Sequence, residues 1–408
     1  MIDFGGDFDL LAPLRGKGVQ PEFTRGEGAC YWTAEGRKVV DFNEMRVVLG
    51  QNNAAFQAAM EKAYREFTAP KNGASPAKTK LMDWLQKTTD GYFAAAHLTS
   101  SGSEAVEWAV RLAQKMTGRP EVICFWNSIH GRTYLSASLS GLAKRKVGYG
   151  PLAPGVVFLP YPNCSACPVH GEKKTCDYAC LELSKRIYAT TSACQAAAVI
   201  VEPFQGANVT FPPGGYLRRL QDWARQNGML FIVDEIQSGV GRTGRMYRYQ
   251  EEGLEPDMLL LGKALGNGQH IAALLVRQRP DKEALYALSG GSGDDPIACA
   301  AACQVFEQLE SGLLDHVAAV GEHLVSGLRT FAGDPLVKEC RGAGLAAAVE
   351  FYDEAVCRSV CARLKEVGFL TGQFESSLYV KPPYVITKKH VEDFLAAMEK
   401  ALREVKRG

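Results

Sequence analysis

Residues 230–244 read LFIVDEIQSGVGRTG, and residues 259–268 read LLLGKALGNG. Each opens on an apolar run and breaks abruptly into polar residues and glycine. Met229 to Val233 and Met258 to Leu261 do not alternate polar with apolar side chains. Continuous runs of this kind suit strands buried on both faces, as in a parallel sheet covered by helices. Similar runs occur at Val122 to Phe125, Val156 to Leu159, Ala198 to Val201 and Ile271 to Val276. Helical patterns lie between them, at Glu104 to Met116 and at Tyr216 to Asn227. In the first, Ala105, Ala109, Leu112, Ala113 and Met116 share one helical face. The alternation predicts an α/β fold: a large domain over residues 50–290 with a mostly parallel central sheet covered by helices.

The pattern changes beyond residue 290. Long helical stretches at Ile297 to Ser311, Val317 to Phe331, Glu354 to Val367 and Lys389 to Val405 flank strand candidates at Leu345 to Phe351 and Leu378 to Val380. That predicts a smaller α+β domain formed by the chain ends, residues 1–49 and 291–408. The 46 Lys and Arg against 45 Asp and Glu leave a net charge of +1, which gives no electrostatic footprint for a nucleic acid partner. No apolar run approaches the ~18 residues that would span a bilayer, so no membrane association is expected. The first eleven residues carry Asp3, Asp7 and Asp9 and do not form a signal peptide. Twelve cysteines in 408 residues are too few for a disulfide scaffold, and a cytoplasmic protein with reduced thiols is expected.

Three segments carry chemistry. Asp234 and Glu235 follow a strand, at the edge where open α/β sheets bind ligands, although a solvated strand end reads the same way. Lys263 follows another strand among small residues. A lysine desolvated there can attack a carbonyl, whereas a lysine on an open loop would only be solvated. Thr99 to Ala113, TSSGSEAVEWAVRLA, opens a helix with small hydroxyl residues around Gly102, which suits a phosphate cradle. Ser101 and Glu104 also fit the S-x-x-E capping box, a purely structural device.

In their order along the chain, SSGSEA, HGRT, VEPFQG, DEIQSGVGRTG, PDMLLLGKALGNG and RGAGLAAAVEF resemble the class III aminotransferases among the fold-type-I pyridoxal-phosphate enzymes. The resemblance runs from about residue 20 to the end. It implies pyridoxal 5'-phosphate as cofactor and Lys263 as the lysine that binds it covalently and shuttles a proton. Asp234 would pair with the pyridine nitrogen, keeping the ring an electron sink. Gln237 would approach the ring's phenolic oxygen, and Ser101, Gly102 and Ser103 would bind the phosphate. Glu202 joins Lys263 and Asp234 as a catalytic candidate. Ile129 and His130 occupy the ring-facing motif, with Ile129 in place of the usual aromatic. The family's threonine that binds phosphate from the other subunit of a homodimer is missing: Gly291 stands at its position, and Ser292 is the candidate to substitute for it. Tyr379 stands where many members carry a carboxylate-binding arginine, which leaves Lys381 or Arg132 to supply a cation.

The implied reaction moves an amino group from an amino acid or other primary amine to a keto acid or aldehyde. A racemase, epimerase or aminomutase of the same family is the alternative. A nicotinamide-dependent dehydrogenase is remote: Gly239 to Gly244 satisfies G-x-G-x-x-G, but five residues separate it from the strand and no helix opens at Gly244. Cys164, Cys167, Cys176 and Cys180 lie within one loop. Four thiols can hold zinc or an iron–sulfur cluster, but the wide second spacing favours reduced thiols, and no metal is assigned.

Overall fold

The computed structural model describes residues 22–66, 74–148, 150–169, 176–286 and 293–406. The described chain opens with three antiparallel strands, β1 (Phe23–Glu27), β2 (Cys30–Thr33) and β3 (Lys38–Asp41). Seven strands then build the central sheet: β4 (Ala95–Thr99), β5 (Glu121–Phe125), β6 (Val156–Leu159), β7 (Ala196–Val201), β8 (Leu230–Asp234), β9 (Met258–Leu261) and β10 (Ala272–Val276). Their order is β4-β10-β9-β8-β7-β5-β6. From β6 to β9 every pairing is parallel, while β10 runs antiparallel between β9 and β4.

Burial on both faces explains the unbroken apolar runs. In β8, Ile232 packs into one cluster with Val106, Ala109 and Leu260, while Phe231 and Val233 pack into the opposite one with Leu259 and Leu261. The helix Gly102–Thr117 covers the first face with Ala105, Ala109 and Ala113, whose small side chains bring it close to the sheet. Gly118 ends that helix in the left-handed region, as a C-cap glycine does.

The C-terminal part supplies β11 (Val337–Ala343), β12 (Ala346–Phe351), β13 (Phe369–Leu370), β14 (Gly372–Phe374) and β15 (Ser377–Val380). Four of these form an antiparallel sheet in the order β11-β12-β15-β14, and β13 pairs parallel with β3. The chain ends therefore meet, through Phe369 opposite Val40.

Two expectations need adjustment. The helix read as Ile297 to Ser311 is α-helical over Pro296–Gln308; Ser311 and Gly312 leave helical geometry, Gly312 at φ +107°, and a new helix runs Leu314–Arg329. Strands β4 and β11 carried no strand signal. Both are edge strands, and their sequences AAHLT and VKECRGA are short of the large apolar residues that mark a central one. Gly321 marks a tight contact between the helix Leu314–Arg329 and the β11–β12 turn, because a Cβ there would lie 2.4 Å from the backbone of Gly344. Gly321→Ala should lower stability by about 3 kcal/mol, the upper part of the overpacking range, since backbone on both sides cannot yield. A thermal melt unchanged from the unmodified protein would contradict this packing.

Candidate active site

Parallel pairing delivers strand carboxyl ends to one edge. Strand β4 points the same way as β9, because each is antiparallel to β10. The residues that follow β4, β5, β7, β8 and β9 therefore gather there: Ser101 to Ser103, Ile129 to Arg132, Glu202 to Gly206, Asp234 to Gln237, and Lys263. A cavity of about 540 Å³ opens at this edge, lined by Ser101, Gly102, Ser103, Ile129, His130, Gln237 and Lys263 among others. A larger cavity of about 810 Å³, bordered by Thr243 to Tyr247 and Gly342 to Gly344, holds none of the candidate catalytic or cofactor-binding residues.

Ser101 caps the helix Gly102–Thr117, its hydroxyl accepting from the Glu104 N–H. The Glu104 carboxylate reaches back one residue further than the box expects, accepting from the N–H and hydroxyl of Ser100 at 2.9 and 2.8 Å. Cap and cradle thus coincide: the other first-turn N–H groups have no partner within the helix and lie at the cavity. Gly102 packs closely on the Ile236 side chain, whose tip a Cβ would meet at 2.8 Å.

Asp234 ends β8 in a buried position and bonds His130 Nδ1 at 2.8 Å through Oδ2, while Oδ1 accepts from the Ile236 N–H. The opposite ring nitrogen of His130, Nε2, is buried and has no hydrogen-bond partner among the described residues. Glu202 is buried but does not line the cavity. Its two oxygens accept the N–H groups of Ile129 at 3.1 Å and Gly206 at 3.0 Å, fixing two wall segments. Burial raises the Glu202 carboxyl above the ordinary range, with the His130 ring opposing that shift.

Lys263 begins a short 3-10 turn with φ +41°, an unusual value for a side-chain-bearing residue, right after the extended Gly262. Asn267, four residues on, accepts the Leu49 N–H at 2.8 Å and ties this turn to the N-terminal segment. The Lys263 amine forms no hydrogen bond or ion pair with any described residue. Desolvation holds it below the usual lysine value, although the Asp234 and Glu202 carboxylates pull the other way.

Structure and sequence part company at the rim. Arg46, Arg145, Gln373 and Phe374 line the cavity, and nothing in the sequence singled them out. Arg46 lies in no regular element, and Arg145 sits in a basic run that reads as a solvated surface. Arg132 and Tyr379 also line the cavity. Lys381 does not: it is only 1% exposed, and its amine donates to the Gly206 carbonyl and to Gln237 Oε1. Ser292 lies outside the described residues. Cys164, Cys167, Cys176 and Cys180 border a separate cavity of about 150 Å³, and burial with the neighbouring thiols pushes Cys180 up to about 11.

The fold is that of the fold-type-I pyridoxal-phosphate enzymes. The profile of the family described as aminotransferase class-III matches residues 15–402, and the chain belongs to that family of pyridoxal-phosphate-dependent aminotransferases. An acetylornithine aminotransferase from Methanothermobacter thermautotrophicus is 31% identical over 95% of this chain and 96% of its own length. An ornithine aminotransferase from Exiguobacterium is 33% identical over 74% of this chain and 73% of its own length. Among solved structures, the omega transaminase from Pseudomonas jessenii in complex with PMP superposes with a TM-score of 0.89 at 27% identity, covering 95% of this chain and 93% of the other. Among the described residues no helix is long and apolar enough to cross a membrane.

Proposed function

We propose that the Lys263 cavity is where this aminotransferase binds its cofactor and that its preferred substrates carry a carboxylate. The observation that carries the first part is convergence: an unpaired, desolvated amine, a helix N-terminus and a buried carboxylate–imidazole pair meet at one sheet edge. These groups fit pyridoxal phosphate. The Lys263 amine suits its aldehyde, the Ser101 to Ser103 turn its phosphate, and Asp234 its ring nitrogen. When bound, the cofactor supplies the electron sink that makes a substrate C–H acidic.

Within that frame each side chain has a definite task. Desolvation disfavours the charged form of the Lys263 amine, which favours its attack on a carbonyl, and the same amine can afterwards take and return a proton. Asp234, oriented by its bond to His130, holds a negative charge against the ring. Ile129 closes one wall with apolar surface in place of an aromatic ring. Glu202 acts at one remove, through the two backbone segments it fastens.

Carboxylate recognition is supported by the rim. Arg46, Arg132 and Arg145 line it, and of the three only Arg46 has an acidic partner among the described residues, Glu44 at 3.5 Å. Free guanidinium groups beside a site are matched to carboxylates. Arg145→Gln should raise KM about 10-fold for a keto-acid acceptor, the lower end expected for a charge-assisted hydrogen bond, and leave KM for an amine without a carboxylate unchanged. Equal effects on both substrates would place Arg145 outside the recognition site.

The reading includes a homodimer in the cytoplasm, with residues 50–290 as the cofactor-binding body and residues 1–49 with 291–408 as the smaller one. Light scattering that found an active monomer would contradict the dimer. The reaction is tested by incubating the holoenzyme with amino acids and diamines in deuterated water, with and without a keto acid. Acceptor-dependent formation of a new amino acid is expected. Deuterium incorporation with inversion at the α-carbon, without an acceptor and without keto acid formed, would replace transamination by racemisation.

A further inference from the structure

We propose that Lys381 is a positioning residue: it grips the carbonyl end of Gln237, so that the amide presents its NH2 to the cavity as a hydrogen-bond donor. The ligand atom it would meet is an oxygen of the bound ring, so the inference rests on the cofactor-site reading above.

Lys381 follows β15 directly, and its own N–H is anchored on the Phe42 carbonyl at 2.6 Å. Its amine has three neighbours suited to a cation: the Gly206 carbonyl, Gln237 Oε1 at 3.0 Å, and the face of the Tyr379 ring at 4.5 Å from its centroid. No described carboxylate pairs with it. The amine is the donor in this contact, so the end of the Gln237 amide that meets it is the carbonyl oxygen. Geometry alone leaves the two ends of an amide hard to tell apart, and here chemistry decides. The other end remains for the cavity, which Gln237 lines.

Gly206 supplies the second constraint. A Cβ at that position would lie 1.7 Å from Gln237 Nε2, so the amide is seated flat against the glycine. Gly206 is in turn held by Glu202, which accepts its N–H at 3.0 Å. Glu202 and Gly206, from the β7 loop, and Lys381, from the segment after β15, therefore make one frame around Gln237 of the β8 loop. Burying an amine among neutral partners is costly: burial first, then Lys263 and Arg242 nearby, hold the Lys381 amine well below its usual value. An apolar chain would fill this space without that cost, but it would leave the Gln237 amide free to turn.

The test uses the holoenzyme and its visible absorbance titrated against pH, in the unmodified protein, K381M, K381Q, Q237A and K381M/Q237A. Losing an oriented donor makes the ring oxygen a stronger base, so K381M should move the midpoint up by about one pH unit. K381Q retains an NH2 to donate and should stay near the unmodified midpoint. K381M should add nothing in the Q237A background. K381A replaces K381M if the methionine variant does not fold. An unmoved midpoint in a folded apolar variant, or an equal shift with and without Gln237, overturns the proposal. An unmodified protein with no visible band overturns the cofactor-site reading as well.

Discussion

Lys263→Ala should lower turnover by about 10⁴-fold while leaving the fold intact. Two roles are removed together, the nucleophile toward the cofactor's carbonyl and the carrier of the substrate proton. The structure tolerates the change: the turn that carries Lys263 is held by the Asn267 side chain on the Leu49 N–H and by backbone bonds from Leu265 and Asn267. None of these involves the lysine amine. Circular dichroism and thermal melting of the variant should match the unmodified protein, and single-turnover kinetics should give the loss. A variant retaining a tenth of the activity would mean that another base does this work.

Asp234→Asn should cost about 10³-fold in kcat with cofactor still bound, comparable to removing a preorganised electrostatic partner from an active site. The asparagine keeps the size and can keep a bond to His130, now at 2.8 Å. It cannot carry the negative charge that favours a protonated ring nitrogen. Burial makes that charge effective, since Asp234 is 4% exposed and its carboxylate bonds, among the described residues, only His130 and the Ile236 N–H. Half-reaction kinetics with a single amino acid donor isolate the effect from acceptor binding. Loss of the cofactor on dialysis, with kcat restored by excess, would instead make Asp234 a binding group only.

The parts of the site legible in the sequence are those that local pattern specifies. The end of an unbroken apolar run places Asp234 and Lys263 at a strand's carboxyl end, and S-x-x-E with Gly102 marks a helix start. Parallel pairing then brings these ends together, a consequence the α/β alternation already implies. The rim is different. Arg46 reaches the cavity from an irregular segment and Arg145 from a single 3-10 turn, Ala143–Arg145, where neither a 3.6 nor a 2.0 period constrains what faces inward.

Lys381 illustrates the same limit from the other side. The sequence reads it as a cation available to a substrate; in the fold it is enclosed by Phe42, Gly206 and Gln237, from three distant parts of the chain, and by its near neighbour Tyr379. Only tertiary packing separates a buried lysine from a cavity-facing one. Strand β11 carries no period-2 signal because it is an edge strand, and its polar Lys338, Glu339 and Arg341 interrupt the apolar alternation.

The central claim is that one amine, at Lys263, holds the cofactor in this cavity. Borohydride reduction of the holoenzyme, proteolysis and mass mapping of the modified peptide test it directly. The label should fall on the peptide containing residues 259–268, LLLGKALGNG, at Lys263, and the visible absorbance should bleach in step with it. A label on another lysine, or reduction that leaves every lysine unmodified, would contradict the account.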